Sequence, residues 1–209
     1  MAPTETASLL MYKAIIFDLG RVLINFDFAR GYQALDPLCP YSAREIPGRL
    51  ATTRIVEDFE TGLIEPPDFV AQMGALLGFS LSYDRFCAIW SCIFMETLVP
   101  ESLIETLAAR YRLVLLSNTN AIHFEMVRNA YPLLRHFHEL ALSYQVKAMK
   151  PRREIFDRAI ELAGCLSGEC FYTDDIAEYV AAARELGIDA VQFQGAAQLE
   201  DELKRRGIV

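Results

Sequence analysis

The stretch Lys13-Ala14-Ile15-Ile16-Phe17-Asp18-Leu19-Gly20-Arg21-Val22-Leu23-Ile24-Asn25-Phe26-Asp27 decides how the chain is read. Ala14 to Phe17 is a short apolar run that Asp18 ends abruptly. Such a run reads as a strand buried on both faces, the kind found inside a parallel sheet. A carboxylate at its C-terminal end sits at the edge where open α/β sheets place their ligands. Gly20 reads as a turn glycine that also lets backbone approach a ligand. A second apolar run, Val22 to Ile24, follows.

From Pro100 onward, strand and helix patterns alternate. Arg112–Ser117, Glu139–Ser143, Glu169–Thr173 and Ala190–Phe193 read as strands. Helices are expected over 101–111, 121–130, 152–163, 176–186 and 197–206, with Gly187 as a C-terminal cap. Alternation of this kind implies a parallel sheet with right-handed crossovers. Between the first strand and this region, residues 28–99 contain few strand patterns. They predict a bundle of about four short helices, including 68–77, with Asp68 as its N-cap, and 82–94. The fold class is therefore α/β, a Rossmann-like three-layer parallel-sheet core with an inserted α-helical cap. The expected core is 12–27 plus 100–209, the cap 28–99, and residues 1–11 a leader.

Composition narrows the function. The chain has 209 residues, 53% hydrophobic and 23% charged, with a formal net charge of −8. An acidic chain is a poor nucleic-acid binder, because affinity for phosphate backbones comes from clustered Lys and Arg. No apolar run reaches the ~18 residues of a membrane span. The five cysteines form an odd set without a Cys-x-x-Cys pair, so neither a disulfide framework nor a zinc site is expected, and the cytoplasm is the simplest compartment. A small phosphorylated substrate remains compatible with the charge, and the protein is read as a monomer or homodimer.

Four polar spots lie at expected strand ends: Asp18, Ser117-Asn118, Lys150 and Asp174-Asp175. In a parallel sheet these ends share one edge. A carboxylate nucleophile attacking phosphorus meets an anion, and a divalent cation held by further carboxylates offsets the repulsion. Magnesium suits such oxygen ligands. A lysine adds positive charge, and Ser117 and Asn118 add neutral donors. The product of attack is an aspartyl-phosphate that water then hydrolyses.

The order of these pieces resembles the haloacid dehalogenase-like (HAD) hydrolases, specifically the phosphatases with a helical cap after the first strand. Phe17-Asp18-Leu19-Gly20-Arg21-Val22 matches the first motif, Leu116-Ser117-Asn118-Thr119 the second, Lys150-Pro151 the third and Asp174-Asp175 the fourth. The similarity is strongest to the branch with bacterial sugar-phosphate phosphatases and the phosphatase domain of soluble epoxide hydrolases. It implies a magnesium-dependent phosphatase of small phosphorylated metabolites, with sugar phosphates among the candidates. Asp18 would be nucleophile and metal ligand, and the Gly20 carbonyl a second ligand. Asp175 would be the metal-binding acid, with Asp174 a second-sphere or alternative ligand. Ser117, Asn118 and Lys150 would bind the phosphoryl group.

The chain departs from the family pattern at Gly20, where most members carry a second aspartate that protonates the leaving alcohol. That departure predicts a preference for weakly basic leaving groups, unless a cap residue supplies the proton. Tyr179 stands where relatives commonly have Asn or Asp, which puts an outer contact of the metal in doubt. Lys147 stands where close relatives often have Gly, and either adds charge near the site or faces solvent. His123, His136 and His138 show no ligand spacing; His123, shortly after the second motif, is the one placed to approach the site. Phe86, Trp90 and Phe94 read as cap core. Two rival readings are a haloacid dehalogenase, which needs no metal and sits badly with Asp174-Asp175, and a catalytically weak binding or regulatory relative.

Overall fold

The computed structural model describes residues 12–209; the leader expected over 1–11 lies outside them. Five strands, β1 (Ala14–Phe17), β4 (Arg112–Ser117), β5 (Glu139–Leu142), β6 (Cys170–Asp174) and β7 (Asp189–Gln192), form one sheet in the order β5-β4-β1-β6-β7. All four pairings are parallel. A second, two-stranded sheet pairs β2 (Ile24–Phe26) with β3 (Phe94–Thr97) antiparallel.

The helices in chain order are α1 (Phe28–Leu35), α2 (Ile46–Leu50), α3 (Ile55–Glu60), α4 (Pro66–Leu77), α5 (Tyr83–Trp90), α6 (Glu101–Ala108), α7 (Ala121–Ala130), α8 (Ser143–Val146), α9 (Arg153–Ala163), α10 (Ala177–Glu185) and α11 (Ala196–Arg205). None of the described helices is long and apolar enough to cross a membrane.

The centre of the sheet is β1, fully buried because all four of its residues are apolar. Its side chains alternate between two cores. Ile15 and Phe17 meet Ile104 and Leu107 of α6, Phe124 and Val127 of α7, and Leu199 and Leu203 of α11. Ala14 and Ile16 meet Ile155, Phe156 and Ala159 of α9, and Val180 and Ala183 of α10. This is the three-layer Rossmann-like α/β architecture. Going outward from β1, the chain first adds β4 and β5 on one side, then crosses to add β6 and β7 on the other. The crevice outside the strand ends at such a reversal is where open α/β sheets bind ligands. Phe17 pairs with Leu115 of β4 and Thr173 of β6, so Asp18, Ser117 and Asp174 emerge side by side.

Helices α1–α5 lie between β2 and β3 and pack around a third apolar cluster that includes Phe59, Phe69, Met73, Phe86 and Trp90. Here the structure departs from the expectations in detail. There are five α-helices rather than about four. Helix α4 starts at Pro66, with Pro66-Pro67 in its first turn and Glu65 as its N-cap, so Asp68 lies inside the helix. Proline at the start costs nothing because that turn has no intrahelical N–H partners to lose. Helix α5 ends at Trp90, and Phe94 starts β3 instead of closing a helix. The reason is a partner distant in sequence: Phe94 pairs with Phe26, and the Leu98 N–H donates to the Leu23 carbonyl. Short-range periodicity carries no trace of that pairing.

Candidate active site

Asp18 follows β1 directly, its N–H donating to the Thr173 carbonyl of β6. Next comes a tight loop: the N–H groups of Leu23 and Ile24 both reach back to the Leu19 carbonyl. Its left-handed residue is Arg21, at φ 57°, and not Gly20. Gly20 is needed for another reason. A Cβ there would lie 2.5 Å from the Phe26 ring, which occupies the side-chain space itself. The turn reading of Gly20 is thus corrected to one of close approach, imposed by β2 folding its aromatic residue over the strand end.

Lys150 reaches in from the loop after α8. Its Nζ donates to Asp18 Oδ1 at 2.6 Å and Asp174 Oδ2 at 2.6 Å, and lies 3.3 Å from the Leu116 carbonyl. The side chain is buried. Asn118 straps it there: its Oδ1 accepts from the Lys150 N–H at 2.8 Å and its Nδ2 donates to the Lys150 carbonyl at 3.1 Å. The ring of Tyr179 lies 5.1 Å from Nζ, and its hydroxyl is 3.4 Å from Asn118 Nδ2. Tyr179 therefore braces the lysine and its strap. Burial works against the Lys150 ammonium, but the two carboxylates outweigh it and its pKa is raised. Burial pushes the Asp18 carboxyl up, opposed by Lys150 and reinforced by Asp174.

The two acids of the fourth motif differ in what they face. Asp174 is fully buried. It accepts from Lys150, from the Tyr172 hydroxyl and, at 2.8 Å, from the Ile176 N–H. Asp175 is half-buried and lines a cavity of about 280 Å³ together with Asp18, Gly20, Ser117, Asn118 and Lys150. Burial, then the charge of Asp174, raises its pKa. Oxygen atoms of Asp18, Asp174 and Asp175 all lie within 4.8 Å of one another. Three carboxylates outnumber the two cations at the cavity, Lys150 and Arg21, and an all-oxygen donor set of this kind suits a hard divalent cation such as magnesium. The residues present fit such an ion. Ser117 is buried at the cavity wall, and its hydroxyl has no hydrogen-bond partner among the described residues. Asp18, Ser117-Asn118 and Asp174-Asp175 thus meet at one edge from strand ends, whereas Lys150, expected at a strand end, reaches it from the loop between α8 and α9.

Some residues at this edge carry no sequence signal. Glu60, the last residue of α3, and Phe28 line the same cavity from the helical side. Phe94, expected in the cap core, lines an adjoining recess with Phe26, Ile93 and His123. Tyr172 had a weak signal: a hydroxyl within the apolar run of a buried strand implies a buried hydrogen-bond partner. Lys147 is not at the phosphoryl end; it adopts φ 64° and donates to the Gly62 carbonyl.

His123 joins the helical insert to the sheet side. Its ring stacks on Trp90 at 5.6 Å, its Nε2 donates to the Trp90 carbonyl at 3.0 Å, and its Nδ1 accepts from Asn120 Nδ2 at 3.1 Å. Burial lowers its pKa to about 4. The folded imidazole stays neutral while the unfolded one takes a proton below about 6.5. Stability from this group is therefore complete above pH 6.5 and lost as pH falls toward 4. Between pH 6.5 and 5 the loss should be about 2 kcal/mol. Urea unfolding at the two pH values should show that loss in the wild type and not in His123→Gln.

No protein-family model matches the chain. A D-ribitol-5-phosphate phosphatase of Bacteroides thetaiotaomicron is 30% identical over 200 residues, covering 92% of this chain and 97% of that protein. A HAD-family enzyme of the same organism, solved in complex with magnesium and inorganic phosphate, superposes with a TM-score of 0.79 at 31% identity, over 88% of this chain and 95% of that one. A HAD-like hydrolase of Porphyromonas gingivalis gives a TM-score of 0.81 at 25% identity, over 93% and 97%.

Proposed function

The chain belongs to the haloacid dehalogenase-like hydrolases, and on that footing we propose that it is a magnesium-dependent phosphatase of small phosphorylated metabolites, with phosphorylated sugars or polyols as the substrate class. The observation that carries this reading is the Asp18 carboxylate bonded to buried Lys150 at the floor of a cavity that Asp175 also lines. The substrate class is supported by the size of that cavity, about 280 Å³, and by the relative that acts on a phosphorylated polyol.

In this reading an Asp18 oxygen attacks phosphorus, forming the new P–O bond as the ester P–O bond breaks. Water then cleaves the aspartyl-phosphate, returning the Asp18 carboxylate and releasing phosphate. Lys150 holds Asp18 in place and offers positive charge to the transferring group. The Ser117 hydroxyl donates to a phosphoryl oxygen. The Asn118 side chain is engaged with Lys150, so its contribution to substrate is its backbone N–H. Asp18, the Gly20 carbonyl and Asp175 would hold magnesium, which when bound supplies positive charge against the repulsion between carboxylate and phosphate. Asp174 keeps Lys150 and the Asp175 loop in register. Helices α1–α5, within 28–99, act as a cap over the core formed by 12–27 and 100–209; their separate apolar cluster supports that division. The five free thiols support a reducing compartment such as the cytoplasm.

The test is phosphate release from a panel of sugar and polyol phosphates with magnesium. Chelation by EDTA should lower it by roughly 10³-fold or more, since several kcal/mol of charge stabilisation is removed. Activity that survives EDTA, or halide release from 2-haloacids, would overturn the reading in favour of a metal-free enzyme.

A further inference from the structure

We propose that Glu60 is the acid that protonates the leaving oxygen of the substrate, standing in from the helical cap for a side chain that the strand end cannot carry. The proposal rests on the phosphatase reading above and assigns its missing proton donor.

An alkoxide expelled from phosphorus needs a proton as it departs, and a positioned acid is worth about 10²–10⁴-fold. The loop after Asp18 holds no such acid at its second position. Gly20 has no side chain, and the Phe26 ring occupies the space where one would project. Among the described residues, the carboxyl groups lining the cavity are those of Asp18, Asp175 and Glu60. Asp18 is bonded to Lys150 and carries the nucleophile role, while Asp175 shares the metal-binding cluster. Glu60 lies outside that cluster and lines the cavity from the end of α3, the helical part of its wall. It also lines the recess behind Phe26. Its carboxyl makes no hydrogen bond or ion pair with the described residues, so it is available to a substrate.

Glu60 is also held in place, as a catalytic group must be. The Ser143 hydroxyl lies 2.6 Å from the Glu60 carbonyl and 2.8 Å from the Thr119 carbonyl, and accepts from the Thr119 N–H at 2.9 Å. One serine thereby ties the end of α3 to the segment that carries Ser117 and Asn118. Two residues later Gly62, at φ 64°, fits where a Cβ would lie 2.1 Å from the Tyr144 carbonyl. Lys147 donates to the Gly62 carbonyl. The turn after Glu60 is thus seated on the core, although it belongs to the cap in sequence.

The surroundings favour the protonated form of the group. Burial, and then Glu57 on the same helix, raise its pKa to about 7. The negative end of the α3 dipole acts in the same direction. The other titratable or charged neighbours are Tyr32 on α1, whose own pKa Glu60 helps raise, and, around the cavity and its adjoining recess, His123, Lys150, Arg21, Tyr179, Asp18 and Asp175. From α8, Lys147 is directed to the Gly62 carbonyl. From α4, Phe69 rather than Asp68 packs against α3, stacked on Phe59.

The step balances. As Asp18 bonds to phosphorus and the ester bond breaks, the bond's electron pair stays with the ester oxygen. That oxygen takes the Glu60 proton and leaves as the alcohol. The Glu60 carboxylate then regains a proton from solvent, and water cleaves the aspartyl-phosphate with both its protons passing to the released phosphate, a step that is the same for every ester.

The experiment compares the full-length wild type with Glu60→Gln and Glu60→Asp, in saturating magnesium. The substrates are ribitol 5-phosphate and glycerol 3-phosphate, both alkyl esters, and 4-nitrophenyl phosphate, whose leaving group needs no proton. Glu60→Gln should lower kcat on the alkyl esters by about 10²–10⁴-fold. It should leave 4-nitrophenyl phosphate within about threefold, which also certifies an intact fold and nucleophile. Wild-type kcat on the alkyl esters should fall as pH rises through about 7, and that limb should vanish in Glu60→Gln. Glu60→Asp, which keeps the acid, should recover at least about tenfold over Glu60→Gln.

An equal loss on both ester classes would show a structural role and overturn the proposal, as would an unchanged rate on the alkyl esters. A wild type that cleaves only 4-nitrophenyl phosphate overturns it too, since no acid is then at work. A wild type inert toward all three esters sinks the phosphatase reading itself, and this inference with it.

Discussion

Asp18→Asn should lower phosphate release by about 10⁴–10⁶-fold, the scale on which loss of a nucleophile acts. The substitution keeps the volume of the side chain and removes the lone-pair charge that attacks phosphorus. Nothing nearby can replace it. Asp174 is bonded to Lys150, Tyr172 and the Ile176 N–H, and Asp175 lies on a different strand end. The fold should survive, because Lys150 keeps Asp174 as its partner. Far-ultraviolet circular dichroism should therefore match the wild type while the phosphate assay falls to background. More than about 1% residual activity would mean that Asp18 is not the nucleophile.

Lys150→Met should affect both stability and rate. The lysine is the single cation between two buried carboxylates, each 2.6 Å away. Methionine has similar length and no charge, so Asp18 and Asp174 are left facing each other in a dry site. Breaking a buried pair in this way costs about 3–5 kcal/mol. For a chain of this size that corresponds to roughly 10 °C in Tm. The pH dependence follows from the same charges. Without Lys150 the two carboxylates hold protons more tightly when folded than when unfolded. The variant's deficit should therefore be largest at neutral pH and shrink as pH falls below the carboxylate range. Urea unfolding in EDTA at pH 7.5 and pH 5 measures it. An equal deficit at both would point to lost packing rather than lost charge. Magnesium should restore part of the stability by binding the folded state alone, but not the rate.

These two residues also show how far the sequence can be read. Asp18, Ser117 and Asp174-Asp175 were legible because each ends or follows an apolar strand pattern, and parallel strands share one C-terminal edge; Lys150, which lies beyond α8, was legible only as the Lys-Pro piece of the motif order. Charged residues interrupting buried runs are costly unless they have a function. The helical insert was legible as a loss of strand patterns. Its details were not. The end of α5 and the strand at Phe94 depend on a contact between segments about seventy residues apart, which no local period records. Asn118 could be read only as a donor; that both ends of its amide strap the Lys150 backbone is a property of how two loops meet.

Gly20 and Glu60 mark the boundary most clearly. Residue patterns alone read out the sheet, the place of Asp18 at its edge and the absence of an acid two residues after it. They did so because periodicity and residue chemistry act over a few neighbouring positions. Only the tertiary structure decided why that glycine is a glycine, through the Phe26 ring seated against it. Long-range packing likewise brings Glu60, from a six-residue helix with no motif of its own, to the wall of the same cavity. The reason is physical. A buried polar group takes its meaning from the groups packed around it, and those come from whichever segments the core brings together.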